Sequence, residues 1–431
     1  MLDVPVRNLH IFTTIFVLLF FGSFITNTHA DEKSLHLGVK TCSATTCHGA
    51  VEPWQNSVVA QNEYLIWSKH GSHSKAYKTL KGKHARVIGQ RLGIGSPEKS
   101  KTCLVCHTDY VPEKLQGENY SKADGVGCEA CHGGAEFWIG EHVSGLSSRA
   151  KLVSFGMNPT EDPVKRAELC LSCHQSNSQK KVTHQMMGAG HPRLSFELDT
   201  YTINQPSHAR IDFDYRQRKS VTDSAQLWAI GQAISSREQM KYLSKAMRDK
   251  TRLFPELTLF ECGSCHHSFE RKRWRLQPGV GLGPGEPLLY DASLLMLRIT
   301  VNALELKYNL RLKEQIRTLH RSTRTGSKSV ANAADDLVET IRLIIKEISI
   351  KPLKRGSLNK VLKMITSDEF ILEYADYSSA EQATMAVASL LESLNSPKVQ
   401  NLNKLYQTVE SISDFRPQLF AKTIAQFSAD N

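Results

Sequence analysis

Four stretches of this sequence read Cys-x-x-Cys-His: CLVCH at Cys103–His107, CEACH at Cys128–His132, CLSCH at Cys170–His174 and CGSCH at Cys262–His266. They use eight of the ten cysteines, and the two left over, Cys42 and Cys47, stand in TCSATTCHGA, residues 41–50, directly before His48. Two cysteines followed by His can form thioethers to the vinyl groups of a haem, the His supplying an axial ligand to the iron. Reading the stretched first spacing in the same way leaves no cysteine unassigned; a disulfide or a metal pair is the alternative there. Zinc would deal Cys and His into tetrahedral sets of four, but it has no reason to demand His directly after the second Cys five times over. The expectation is five covalent haem c groups. Cys42, Cys47, Cys103, Cys106, Cys128, Cys131, Cys170, Cys173, Cys262 and Cys265 would attach them, with His48, His107, His132, His174 and His266 as the first axial ligands.

A second imidazole on each iron has to come from elsewhere. Of 17 histidines, five follow the motifs and two, His10 and His29, lie near the N-terminus, which leaves ten. One of His70 and His73 is a candidate, since the two lie three apart on one helical face and would crowd a single iron. His142 follows in CHGGAEFWIGEH, where the glycines let the backbone run close to a porphyrin and Trp138 can stack beside it. His184 and His191 in HQMMGAGHPRL are separated by helix-breaking glycines and can address different irons, and His208 follows in QPSH. His36, His84 and His320 read as surface or hydrogen-bonded histidines, and His267 as a propionate or outer partner beside His266. Met186 and Met187 are the alternative ligands, although methionine more commonly packs.

The elements that must carry these residues are short. Five motifs between residues 42 and 266 leave about 45 residues for each, so the haems would form much of the interior and long loops would join short helices. Two helices are expected within this part, at about 61–80 and 222–247. Cysteine is absent after about residue 287 and helical periodicity takes over, at 292–309, 329–350, 378–395, 398–413 and 415–427. Ser378 with Glu381 reads as a capping box and Pro397 as a first-turn proline. The loop RLQPGVGLGPGEP, residues 275–287, is the natural boundary. The fold class expected is mainly α: a multihaem cytochrome c domain with long loops and stacked haems over 31–286, then a helical domain without cofactor over 287–431.

An apolar run from Ile11 to Ile25 followed by Thr28–Ala30 has the form of a signal peptide, residues 1–30, with cleavage before Asp31. An uncleaved anchor is the alternative, and it would bring membrane association. Export fits covalent haem attachment, so a periplasmic protein is expected. The formal net charge is +11, and five haems with their propionates would bring it to about +6. This favours acidic or membrane-bound redox partners. The basic residues are scattered apart from RKRWR at 271–275, a solvated or propionate-pairing run, so nucleic acid is not expected as a partner.

The stretches CSATTCHG, EYLIWSKHGSHSKAYKTL, GVGCEACHGGAEFWIGEH, HQMMGAGHPRLSFEL and LFECGSCHHSF resemble exported multihaem c-type cytochromes related to the tetrahaem electron carrier of ammonia oxidisers, over about residues 41–286. That resemblance implies His73, His142, His184 and His191 as distal ligands, with His208 in a similar position, and electron transfer as the function. The wider group also holds oxidoreductases with one open haem, often ligated by Lys. No Cys-x-x-Cys-Lys occurs here, which weakens the alternative of an enzyme acting on a small nitrogen or sulfur compound.

Overall fold

The structure is a computed structural model, and it describes residues 34–428 except 56, 58, 210, 252–254, 267–278 and 284. The leader, its cleavage site, His10, His29, His267 and the RKRWR run lie outside the described residues. The chain is helical, and isolated bridges pair His36 with Gln116 and Phe260 with Leu289. The first part holds α1 (Val39–Cys42), α2 (Glu63–His70), α3 (Ala76–Thr79), α4 (Lys83–Leu92), α5 (Lys101–His107), α6 (Cys128–His132), α7 (Ile139–Ser144), α8 (Arg149–Ser154), α9 (Pro163–His174), α10 (His184–Ala189), α11 (Leu198–Asn204) and α12 (Phe213–Arg218). Then come α13 (Ser224–Met247), α14 (Ala292–Ala303), α15 (Asn309–Ser322), α16 (Ser327–Ile350), α17 (Arg355–Ile365), α18 (Asp368–Ile371), α19 (Tyr377–Ser393), α20 (Leu402–Gln407) and α21 (Pro417–Ile424).

The two parts are built on different interiors. Before α9 the apolar core is a small group, Ala135, Trp138, Leu152 and Met157. Polar fastening replaces apolar bulk there. The buried Glu129 carboxylate accepts from the backbone N–H groups of Leu37 (2.8 Å), Gly38 (2.7 Å) and Ala135 (2.8 Å), which ties the N-terminal segment to the third motif. A buried carboxylate satisfied by three N–H donors costs far less than an unpaired one.

From α9 onward the core is dense. Helix α13 is apolar or buried on almost every side, as a central helix must be, and Asp223 caps it by accepting from Ala225 N. Its Leu227, Ile230, Ile234, Met240 and Leu243 share one cluster with residues of α14, α15 and α16, and its Trp228 shares a second with α14, α17, α19 and α21. Both clusters therefore run across the boundary expected at 286/287. Helix α13, assigned by the sequence to the haem part, is the centre around which the C-terminal helices pack.

Several helix expectations change in detail. The helix expected over 61–80 is broken at Gly71, whose backbone is extended (φ −69°, ψ 133°), into α2, a 3-10 turn at His73–Lys75, and α3. Helices α15, α17 and α18 have no counterpart among the expected ones, and the 398–413 segment is a 3-10 turn at Pro397–Asn401 followed by the short α20. The expected capping box is replaced: Asp376 caps α19 by accepting from Ser379 N at 2.8 Å. Glu381 is thereby free to reach another element, where it accepts from Arg193 and from Ser195 Oγ, both at 2.6 Å.

Candidate haem-binding sites

The five motifs are presented in one local geometry by different means. In α5, α6 and α9 the sequence ends a helix on the motif His, so each Cys-x-x-Cys-His occupies the last turn. At the fifth motif a 3-10 turn does the same, with His266 N donating to Cys262 O at 2.8 Å. The first motif reaches this end point despite its longer loop. Ala44 O accepts from Cys47 N (2.9 Å) and Gly49 N (3.0 Å), which folds the two extra residues into a turn, and His48 N donates to Cys42 O at 3.1 Å. His48 is thus held over Cys42 as His266 is over Cys262. No two of the ten cysteines are joined in a disulfide.

Opposite the motif histidines stand histidines from outside the motifs. Ring centroids are 5.9 Å apart for His48 and His142, with planes 12° from parallel. The separation is 6.3 Å for His132 and His208, 6.1 Å for His174 and His73, and 5.8 Å for His266 and His184. His191 follows Gly190, whose carbonyl lies 3.1 Å from His84 of α4, and His107 lies 3.1 Å from Ala76 O of the neighbouring α3. Metal–imidazole bonds of about 2 Å on either side of one ion put two ring centroids about 6 Å apart, so these separations fit an iron held between each pair. The Nε2 atoms of His184 and His266, 3.5 Å apart, are slightly closer than the roughly 4 Å that two such bonds span.

The chemistry of the rings fits as well. Imidazole ligates as the neutral species, and burial holds His73, His107, His142, His174 and His208 below the ordinary imidazole value. Burial, followed by the nearby His208, brings His132 down to about 4. His48 is raised instead, first because its Nδ1 is hydrogen-bonded at 2.9 Å to Glu63 Oε2. That bond fixes the ring and leaves Nε2 for a metal, a common outer arrangement for a ligating His. Glu63 was not singled out from sequence; its position fifteen residues after His48 carries no signal until α2 folds beside the motif.

The surroundings are suited to a large flat group. Trp138 is buried, stands edge-on to His142 at 5.8 Å, and its indole Nε1 has no hydrogen-bond partner among the described residues. Phe196 stacks on His174 at 4.8 Å and Tyr201 meets it edge-on at 5.6 Å. A cleft of about 110 Å³ joins the fourth and fifth motifs, with His174, Met187, Arg193, Phe196, Cys262 and Tyr290 among its walls.

The sites adjoin one another. The Cys42 side chain lies close to that of Cys128, and the Cys106 side chain close to that of Cys173, so the first motif adjoins the third and the second adjoins the fourth. Cys131 of the third feels Cys170 and Cys173 of the fourth. Helix α10 carries His184 toward the fifth motif and leads into His191 beside the second.

The histidines given no ligand role have other partners. His36 is buried on Asp109 (2.8 Å), His84 bonds Gly190 O (3.1 Å), and His320 is buried on Asp291 (3.0 Å). His70 is exposed at the end of α2. The break at Gly71 separates it from His73. Met186 is buried in α10, and both methionines lie on that helix between His184 and Gly190.

Residues 41–133, which hold the first three motifs, match the family model described as cytochrome c554 and c-prime. With the repeated motifs and the helical fold, this match supports a multihaem c-type cytochrome family, and with it haem c and electron transport. One curated relative is the multiheme cytochrome MtrA of Shewanella baltica (strain OS185), 28% identical over 130 residues, which is 28% of this chain. The chain spans about a third (35%) of that relative's length. No solved structure matches.

Proposed function

We propose that this protein holds five covalently bound haems, each iron between two histidines, and relays electrons between redox proteins outside the cytoplasm. The observation that carries this reading is that four motif histidines each face one from outside the motifs, 48 with 142, 132 with 208, 174 with 73 and 266 with 184, which leaves His191 for His107. Haem supplies a one-electron iron couple, whose potential follows axial ligands, burial and nearby charge. The chain's part is to orient the imidazoles, keep them neutral and bring the sites side by side. Glu63 does the first of these for His48, and the adjoining cysteines of neighbouring motifs do the last.

An enzyme working at one open iron would need a motif His without a facing imidazole, and four of the five motif histidines have one. A location outside the cytoplasm is supported by the signal-like run at 11–25 and by the thioether chemistry. Among the described residues no helix is long and apolar enough to cross a membrane.

The test is intact mass and a haem assay on the exported protein, followed by titration with dithionite. Five haems and five electron equivalents per chain are expected. Four haems, or reduction that stops short, would overturn the five-site reading.

A further inference from the structure

The positive charge of this chain is concentrated in one segment of it. Between residues 69 and 101 there are nine Lys and Arg against a single acid, Glu98, a net of +8 within 33 residues of a chain whose total is +11. All nine are exposed. None is paired with a carboxylate among the described residues, whereas every described Lys or Arg that is so paired lies at residue 149 or beyond. Cations crowded together without a carboxylate partner repel, and their field is directed outward.

That field surrounds one site. His107 Nδ1 lies 3.1 Å from Ala76 O and 3.3 Å from Thr79 Oγ1, so α3, with Lys75, Lys78 and Lys81 in and around it, backs onto the second motif. On the other side α4 is fastened to the chain just before His191: His84 bonds Gly190 O, and Arg91 Nη1 donates to Ala189 O at 3.2 Å. The basic segment therefore wraps both histidines of the second site.

We propose that this face is where an acidic electron-transfer protein docks, and that electrons enter or leave through the second site. The proposal rests on the electron-transfer reading above. A protein partner fits better than a lipid surface, because no large apolar side chain is exposed between residues 69 and 101 to enter a bilayer. Seven of the nine cations are lysines. Their strongly hydrated heads on flexible stems suit a transient, steered encounter more than a fixed bidentate contact.

The experiment uses the haem-loaded full chain and two reductants: a reduced ferredoxin with a carboxylate-rich surface as protein probe, and dithionite. Lys75→Glu/Lys78→Glu/Lys81→Glu is compared with Lys328→Glu/Lys346→Glu/Lys422→Glu, three exposed lysines of the haem-free helices, so that net charge changes equally. The expected result at low ionic strength is at least a tenfold loss of the ferredoxin rate in the first variant only, with a weakened salt dependence and unchanged dithionite reduction. The corresponding Lys→Gln triple variant should lose a smaller part of that rate, and it serves if the reversal disturbs folding. Equal losses in both Glu variants would overturn the proposal, as would loss of binding to phosphatidylglycerol vesicles with the ferredoxin rate intact. Failure of dithionite to reduce the unaltered protein would instead sink the electron-transfer reading itself.

Discussion

His142 stands across from His48 with its ring nearly parallel, 12° away at 5.9 Å, although 94 residues separate the two in sequence. Helix α7 carries His142, and its N-terminal neighbour Trp138 packs edge-on against the same ring. His142→Ala should therefore leave all haems attached, since the cysteines and His48 remain, and convert one low-spin centre to high spin. Absorption and magnetic spectra of the variant check this; spectra identical to those of the unaltered protein would remove His142 from the ligand set.

The C-terminal helices depend on α13. Trp228 is fully buried between α14, α17 and α19, and truncating a buried Trp typically costs about 3–5 kcal/mol through lost contacts and the cavity left behind. Trp228→Ala should lower the denaturation midpoint of the helical part by a corresponding amount without changing the haem spectra. By the same packing, a fragment starting at residue 287 should be less cooperative in unfolding than its helical periodicity implies, because α13 is missing from both of its clusters.

Stability should also vary with pH through Glu197. It is buried, caps α11 by accepting from Asp199 N and Thr200 N at 2.8 Å each, and burial pushes its carboxyl up to about 7 from an ordinary value of 4.5. A folded-state pKa above the unfolded one means that the folded protein binds the proton more tightly. This contribution is thus fully present below pH 4.5 and is lost as pH rises through 7, up to about 3 kcal/mol in all. Thermal melts from pH 5 to 8 should show this decline in the unaltered protein and a flatter profile in Glu197→Gln.

Much of this was legible in the sequence because covalent attachment writes itself into spacing. The motif cysteines and histidines are read directly, and Gly133 and Gly190, both at positive φ, mark where the chain bends, whereas Gly140 and Gly188 lie inside α7 and α10 instead of breaking them. What the sequence hid depends on contacts between distant segments. Glu63 and Glu129 look like surface acids until α2 and the N-terminal segment fold onto the first and third motifs. Glu381 looks like half of a capping box, yet it reaches Arg193, 188 residues earlier. Helix α13 sits beside haem motifs in the chain, but its nearly all-round burial belongs to the bundle. The basic face around the second site carries no motif for a different reason: no two of its cations are adjacent in sequence, and the turns between α2 and α5 bring them around one site.

The central claim is that each of the five irons lies between two histidines, and the ligation state of the oxidised full chain tests it most directly. Electron paramagnetic resonance, with carbon monoxide binding after reduction, should show low-spin centres alone and no ready uptake of the gas. A high-spin signal accompanied by rapid carbon monoxide binding would contradict the account, because one iron would then lack its second imidazole.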